Sequence, residues 1–248
     1  MHNKIKAICL TYDKHMPIMD YVLYTYDKYW PDHPFVFYVP WNFAEPTHLV
    51  RLYGEERIKL IKTPSPIKGT LRTLLELCDP KEWIWWAMDD KYLLKVKRKE
   101  NIHTIFSSLP NLDDSISGFM FTRNSNADWA MKNGQTLRFG DLPFREKWNY
   151  NQIYQPQLLR SRVLYRIFVN NKFPEDYLLR LGAKNNPDAL LYNKLHDGEI
   201  MHSSLVNLLH IAESLAGGKI LKNCVRHMSE DKFAIPSLNQ SNQEIVYD

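Results

Sequence analysis

A run of six apolar residues, from Trp83 to Met88, leads directly into two adjacent carboxylates, Asp89 and Asp90. The length and aromatic content of this run predict a strand that is buried on both faces. An unpaired charge inside such a strand is strongly unfavourable, so we expect both aspartates at its carboxyl end. Ligands bind at that edge of open α/β sheets, and two carboxylates there suit a divalent cation with a phosphorylated ligand. An ordinary Asp-rich turn after a strand is the alternative interpretation.

The segments before this run alternate between strand-like and helix-like apolar patterns. Short apolar runs predict strands, and apolar residues on one helical face predict helices. The strands are expected at Ile5–Leu10, Phe35–Val39 and Arg57–Ile61, and the helices at Pro17–Trp30 and Lys68–Leu77. With the Trp83 strand the order is β-α-β-β-α-β, which favours parallel strands joined by crossover helices in an α/β fold.

The second half of the chain is less regular in its apolar pattern. A strand is expected at Ser115–Arg123, and the charged, aromatic stretch Leu137–Tyr150 is expected to be rich in loops. Helices are expected at Asn101–Leu109, Gln157–Val169, Pro187–Leu195 and Ser204–Leu215, with a further helix entry at Phe173–Tyr177. Gly217 and Gly218 would end the last of these helices as its C-cap. The Ser-, Asn- and Gln-rich tail from Ser237 is expected to be partly disordered.

Composition narrows the class of protein. With 248 residues and 44% hydrophobic content, the chain can bury a substantial core. Its net charge of +4 is too small and dispersed to favour nucleic-acid binding. Its three cysteines lie far apart without CxxC spacing, which is typical of reduced thiols. We find no signal-peptide pattern and no apolar run of membrane-spanning length, so we expect a cytoplasmic protein, with peripheral membrane contact left open.

Two further segments carry candidate ligand-binding residues in the first half of the chain. Thr11, Tyr12 and Asp13 follow the first strand, where nucleotide-binding α/β domains contact the base or ribose. Lys68 and Arg72 open a helix around a glycine, which makes a fair anion site. The alternatives are an ordinary βα loop and a solvated helix start.

The second half adds two candidates. Glu175 and Asp176 are adjacent acids at a helix entry, and either could remove a proton from a sugar hydroxyl or only complement the helix dipole. Lys219 follows a glycine pair and precedes further basic residues, which could close over a diphosphate or only form a solvated basic face. The P-loop, HExxH and GxGxxG patterns are absent from the sequence.

Taken in order, several of these segments resemble GT-A fold glycosyltransferases, in particular small bacterial and large-DNA-virus members with a DxD-type motif. The resemblance is carried by Trp86–Leu94 with its acidic pair, by the Trp-Pro-Asp-His-Pro turn at Trp30–Pro34, and by three later segments: Tyr154–Leu164, Phe173–Tyr177 and Gly217–Lys219. This chain has Asp-Asp-Lys where the strict motif has Asp-x-Asp, which leaves open which aspartate binds metal.

The resemblance implies a single GT-A-like domain over residues 1–236, with a mixed, mostly parallel central sheet flanked by helices. Residues 1–100 would form the nucleotide-binding half and residues 101–236 the acceptor half. It implies a hexosyl- or deoxyhexosyl-transferase that uses a UDP- or GDP-linked sugar and a glycan acceptor; we expect an inverting reaction, and a retaining one, which would not need a base, stays open. Asp89 and Asp90 would bind Mn2+ or Mg2+. Thr11–Asp13, Lys68, Arg72 and Lys219 would hold the donor, and Glu175 or Asp176 would be the base.

Two other functions remain open at this point. A sugar nucleotidyltransferase uses a similar sheet and metal, but usually has a glycine-rich loop after its first strand. Here that loop is Thr11–Lys14 and contains no glycine. The second alternative is a non-catalytic protein, derived from a transferase, that binds a glycan or a nucleotide.

Overall fold

The computed structural model describes residues 4–122, 131–147, 153–170 and 198–247. The strands are β1 Ile5–Leu10, β2 Phe35–Trp41, β3 Ile58–Lys62, β4 Trp83–Met88, β5 Lys91–Val96, β6 Ile116–Met120, β7 Met131–Phe139, β8 Leu142–Lys147, β9 Gln157–Arg160, β10 Ile200–Ser204, β11 Leu209–Glu213, β12 Leu215–Ala216, β13 Lys219–Leu221, β14 Gln240–Ser241 and β15 Val246–Tyr247. The helices are α1 Met16–Tyr29, α2 Thr47–Tyr53, α3 Ile67–Leu75, α4 Lys99–Ser108, α5 Ser161–Leu164, which continues as a π-helical turn over Tyr165–Asn170, and α6 Lys222–Glu230.

A nine-stranded sheet in the order β3-β2-β1-β4-β9-β6-β10-β8-β7 forms the centre of the fold. Strands β1 to β4 are parallel, β6 and β10 are parallel to each other, and β9 and β8 are antiparallel to their neighbours. Helices α1 and α4 cover one face, while α3 and the segment 161–170 cover the other. The expected mixed, mostly parallel α/β sheet flanked by helices is therefore confirmed.

Strand β4 is buried along its whole length, as its apolar run predicts. It pairs with β1 on one side and β9 on the other. Successive side chains point to opposite faces of the sheet. Trp85 therefore packs into the core beneath α1, whereas Trp86 packs into the core beneath α3. Each indole also donates a hydrogen bond, Trp85 to the Tyr26 hydroxyl at 2.9 Å and Trp86 to the Ile153 carbonyl at 2.6 Å.

The chain leaves this sheet directly after β4. Only Asp89 and Asp90 separate β4 from β5, and β5 pairs with β11 in a smaller antiparallel sheet of order β15-β11-β5. A third sheet of order β12-β13-β14 lies next along the chain. The turn that carries Asp89 and Asp90 therefore connects the central sheet to the first of these smaller sheets.

The first hundred residues follow the sequence-based expectations closely. The predicted strands and helices are all present within a few residues, and the structure adds α2 at Thr47–Tyr53, which the sequence pattern missed. The predicted helix at residues 101–109 and strand at residues 115–123 correspond to α4 and β6.

Three expectations for the second half are wrong. The stretch 137–147 is a β7–β8 hairpin, where loops were expected. The expected helix at 157–169 begins only after β9, because residues 157–160 fill the gap between β4 and β6. The expected helix at 204–215 is absent, and most of its second half is strand β11 at Leu209–Glu213, because pairing with β5 overrides a helix-like spacing of leucines.

The glycine pair is also not a helix C-cap. Gly217 and Gly218 have φ values of 56° and 74° and form the two-residue turn between β12 and β13. Both positions of such a hairpin turn require positive φ, which glycine adopts without steric cost. In the tail, expected to be partly disordered, β14 pairs with β13 and β15 pairs with β11. The expected helices at 173–177 and 187–195 lie outside the described residues.

No helix in the described part of the chain is long and apolar enough to cross a membrane.

The hydrogen bond between Trp85 and Tyr26 gives a test of the core. Tyr26→Phe removes its acceptor and leaves a buried indole N–H without a partner, so we expect a loss of about 1–3 kcal/mol in unfolding free energy. Urea denaturation measures this loss. Tyr24→Phe on the same helix removes a hydroxyl from a half-buried ring and should change stability by less than about 0.5 kcal/mol. Equal losses in the two variants would contradict this account of the core.

Candidate functional site

Asp89 and Asp90 lie in the turn directly after β4, as the sequence predicts. The Asp89 amide donates to the carbonyl of Leu10 at 3.1 Å, which continues the β1–β4 pairing to the edge of the sheet. Asp89 is buried and Asp90 is half-buried. Both carboxylates therefore lie at the carboxyl edge of parallel strands, the edge at which ligands bind in open α/β sheets.

Ser214 holds the backbone of this turn from the other side. Its hydroxyl donates to the carbonyl of Asp89 at 2.7 Å, and its amide donates to the carbonyl of Asp90 at 2.9 Å. Its own carbonyl accepts from the Leu221 amide at 2.8 Å, which ties the β12–β13 hairpin to the same point. Ser214 is buried, so water does not compete for these bonds. The turn is thus fixed by residues that lie more than a hundred positions away.

Lys91 neutralises part of the acidic charge. Its ammonium lies 2.9 Å from Asp90 Oδ2 and 3.1 Å from Glu213 Oε1, and its side chain is only 4% exposed. Burial alone would lower the pKa of Lys91, but the two carboxylates outweigh it and raise that pKa. For Asp90, burial is the largest influence and raises its pKa despite the attraction of Lys91. The side chain of Lys91 is therefore held between two carboxylates.

His15 is a residue of this site that the sequence pattern did not reveal. Its Nδ1 lies 3.1 Å from Asp89 Oδ2, and its Nε2 lies 3.0 Å from the Tyr12 hydroxyl. The ring of Tyr12 is 42% exposed, with its centroid 4.2 Å from that of His15. Burial first, and the charge of Asp89 second, raise the pKa of Tyr12. The only sequence signal for His15 is its position, just beyond the exit loop of β1.

Asp13 has a contact that the sequence did not predict. Its carboxylate accepts hydrogen bonds from the backbone amides of Asn42, Phe43 and Ala44 at 2.7, 2.7 and 2.9 Å. Burial acts to raise its pKa, but these three donors outweigh it and lower the pKa of Asp13. Asp13 therefore fixes the loop after β2 against the loop after β1.

The other predicted site residues lie in different places. Thr11 is buried directly after β1, and the pairing of Leu10 with Met88 puts it beside Asp89. Lys68 is half-buried in the first turn of α3, close in sequence to the carboxyl end of β3, and Arg72 is exposed one turn later. Lys219 is exposed at the start of β13. Glu175 and Asp176 lie outside the described residues.

The donor atoms near the turn fit a divalent cation that a substrate helps to bind. Among the described residues, no group of three or more His, Cys, Asp or Glu side chains could hold a metal ion by itself. Asp89 and Asp90 each use one carboxylate oxygen in an internal contact, and Asp90 Oδ1 is buried with no hydrogen-bond partner in the described part of the chain. Mg2+ is commonly held by one or two carboxylates together with substrate phosphates.

Comparison with known proteins gives similarity only at the level of structure. No family model matches the chain, and no curated protein matches it in sequence. The mannosyltransferase PcManGT from Pyrobaculum calidifontis, in complex with GDP-Man and Mn2+, is 10% identical, with 81% of this chain and 57% of that chain covered and a TM-score of 0.41. The chain thus spans a little over half of that enzyme's length.

Two further solved structures match this chain at a similar level of structural similarity. The galactosyltransferase LgtC, in complex with donor and acceptor sugar analogs, is 8% identical, covering 96% of this chain and 87% of that chain, with a TM-score of 0.36. A 4-diphosphocytidyl-2C-methyl-D-erythritol synthase is 11% identical, covering 68% and 80%, with a TM-score of 0.37. We draw no functional conclusion from similarity at this level.

The ion pairs of Lys91 give a test of how the turn is held. Lys91→Met leaves the half-buried carboxylates of Asp90 and Glu213 without their counter-charge, so we expect a loss of about 1–3 kcal/mol in unfolding free energy. In a Glu213→Gln background the same change should cost less, by about 0.5–3 kcal/mol, because one of the carboxylates is already neutral. Denaturant unfolding of the four proteins measures this coupling.

The matched control for this cycle is Lys95→Met, which removes an exposed ammonium from the same strand. We expect it to change stability by less than about 0.5 kcal/mol. A Lys91→Met variant as stable as the Lys95→Met variant would show that the buried ion pairs do not hold the turn.

Proposed function

We propose that the chain is a glycosyltransferase that moves a sugar from a nucleotide-sugar to the hydroxyl of an acceptor. The observation that carries this proposal is the Asp89–Asp90 turn: two carboxylates whose backbone is held by Ser214 at the carboxyl edge of the sheet, with Asp90 Oδ1 unpartnered in the described part of the chain. A hard cation and the diphosphate of a nucleotide-sugar match that arrangement. In this proposal residues 1–100 supply the nucleotide half and residues 101–236 the acceptor half.

The chemistry to be assisted is the departure of a nucleoside diphosphate, which gains negative charge as the glycosidic bond breaks. A bound Mn2+ or Mg2+, held by Asp89 and Asp90, would stabilise that charge. Lys68, Arg72 and Lys219 would add positive charge around the phosphates. Lys91 has a different role in this proposal. Its ammonium faces Asp90 and Glu213, and it keeps the carboxylate of Asp90 in place.

The nucleoside of a UDP- or GDP-linked donor would lie along the exits of β1 and β2. Tyr12 offers an exposed ring there, and His15 fixes the orientation of that ring through the hydrogen bond to its hydroxyl. Thr11 adds a hydroxyl beside Asp89, and Asp13 supports the neighbouring loop. An aromatic ring of this kind suits a planar base.

The residues proposed to act on the acceptor are assigned from the sequence alone. Glu175 or Asp176 would remove the proton from the acceptor hydroxyl of a glycan in an inverting hexosyl- or deoxyhexosyl-transfer. A base is needed because the hydroxyl must lose its proton as it attacks the sugar carbon. A retaining reaction would not need that residue.

Nucleotide binding is the first test of this proposal. UDP or GDP with Mn2+ should raise the melting temperature of the protein, because a ligand that binds only the folded state stabilises it, by about 2.7 kcal/mol at a hundred times its Kd. Asp90→Asn should lose the part of this shift that depends on Mn2+. Glu55→Gln, which changes an exposed acid before β3, should retain it. No shift with any UDP, GDP or CMP nucleotide would reject the proposed function.

Transfer kinetics test the assignment of the base. Either Glu175→Gln or Asp176→Asn should lower kcat by about 100-fold or more, because general base catalysis contributes this much, while donor affinity stays unchanged. The rate of transfer to an acceptor, measured over a range of nucleotide-sugar concentrations, gives kcat and the donor KM. Normal transfer in both variants would remove the base from the mechanism. Nucleotide binding without turnover in the unsubstituted protein would favour the non-catalytic alternative.

A further inference from the structure

Thr122 and Gln155, close to the same edge of the sheet, each have a buried side-chain oxygen that lacks a hydrogen-bond partner among the described residues. Thr122 follows β6 and is 2% exposed, and Gln155 precedes β9 and is 7% exposed. Thr122 Oγ1 and Gln155 Oε1 are both buried, and neither atom has a hydrogen-bond partner in the described part of the chain. Native proteins retain few such atoms, and each one calls for an explanation.

The registers of β4, β9 and β6, continued beyond the ends of these strands, point both residues towards the acidic turn. Strand β9 lies between β4 and β6, and Gln157 pairs with Trp86 while Leu158 pairs with Phe119. Continuing these antiparallel registers towards the edge brings Gln155 level with Met88 on one side and with Thr122 on the other. Neighbouring strands are about 4.8 Å apart, so this register would bring the two residues and the start of the acidic turn within roughly 10 Å along the edge.

The fold satisfies a buried threonine elsewhere. Thr25 on α1 is fully buried, and its hydroxyl donates to the Val22 carbonyl at 2.7 Å and accepts from the Leu93 amide at 3.2 Å. The hydroxyl of Thr122 finds no such partner within the described ranges, and an unsatisfied buried hydroxyl lowers stability. Local rules that are broken without compensation within the fold are typical of functional sites.

We infer that Thr122 and Gln155 bind hydroxyl groups of the sugar that is transferred, an assignment that rests on the proposed function. A glutamine oxygen can only accept a hydrogen bond, so its ligand must be a donor. Sugar hydroxyls donate and accept, whereas ionised phosphate oxygens only accept. The chemistry at this end of the edge therefore suits a polyhydroxylated ring, placed beyond the diphosphate on the side of β4 away from β1.

Both atoms are covered in the free protein, so a sugar reaches them only when the chain around this edge rearranges. The hydrogen bonds would then form in the complex alone. This gives the two residues a signature that a structural role does not share: their apolar replacements should retain stability and lose affinity.

The experiment compares Thr122→Val and Gln155→Met with the control Thr25→Val. In the free protein the first two should melt at or above the temperature of the unsubstituted protein, because an unsatisfied polar atom is removed. Thr25→Val should melt about 2–4 °C lower, because it removes a satisfied hydroxyl. By calorimetric titration with Mn2+, Thr122→Val and Gln155→Met should each bind the nucleotide-sugar about tenfold more weakly. Both should bind the nucleoside diphosphate without sugar as tightly as the unsubstituted protein.

Two results would overturn the inference. If Thr122→Val and Gln155→Met melt as low as Thr25→Val, the two atoms are satisfied in the free protein, for example by a buried water. If both variants bind the nucleotide-sugar with unchanged affinity, the atoms do not contact the sugar.

The test stays decisive if the unsubstituted protein binds no nucleotide, which would reject the proposed function. The probes are then glucose, galactose, mannose and fucose at millimolar concentration, followed by the melting temperature. A shift that disappears in Thr122→Val and Gln155→Met supports a sugar site that does not depend on a nucleotide. The absence of a shift with all four sugars overturns the inference as well.

Discussion

The structure depends on how three carboxylates are held together at the end of one buried strand. Asp90 and Glu213 contact the ammonium of Lys91, and Asp89 contacts the ring of His15. The cluster therefore holds three carboxyl groups and a single ammonium. Such a cluster is stable only if its geometry is fixed, because like charges at this distance repel and burial penalises each of them. Ser214 fixes that geometry by binding the backbone rather than the charges.

This constraint accounts for the way in which the chain is routed. Strand β4 can be apolar on both faces because the chain leaves the central sheet at the first charged residue and continues in a second sheet. Strand β11 pairs with β5, and the register of that pairing places Glu213 opposite Lys91. The hairpin that follows is tied to the same point through Leu221. The buried strand, the ion pairs and the smaller sheets therefore all meet at the turn that carries Asp89 and Asp90.

The sequence predicts the first hundred residues well because their pattern is local. The burial of the Trp83 run on both faces and the helical face of α1 can be seen without knowing what packs against them. The structure of the second half depends on pairing between strands that are far apart in the sequence. A leucine-rich segment with helix-like spacing becomes β11, because β5 has an edge that needs a partner.

The same division holds for the candidate site. The position of Asp89 and Asp90 follows from the apolar run alone. The contacts of Ser214 and Glu213 join residues more than a hundred positions apart, so no local pattern in the sequence predicts them.

The most direct measurement of the central claim, that the Asp89–Asp90 turn binds the donor diphosphate, is a crystal structure of the protein with a nucleotide-sugar and Mn2+. We expect the diphosphate and the ion against the Asp89–Asp90 turn. A nucleotide bound away from the carboxyl edge of β4, with that turn free of it, would contradict the account.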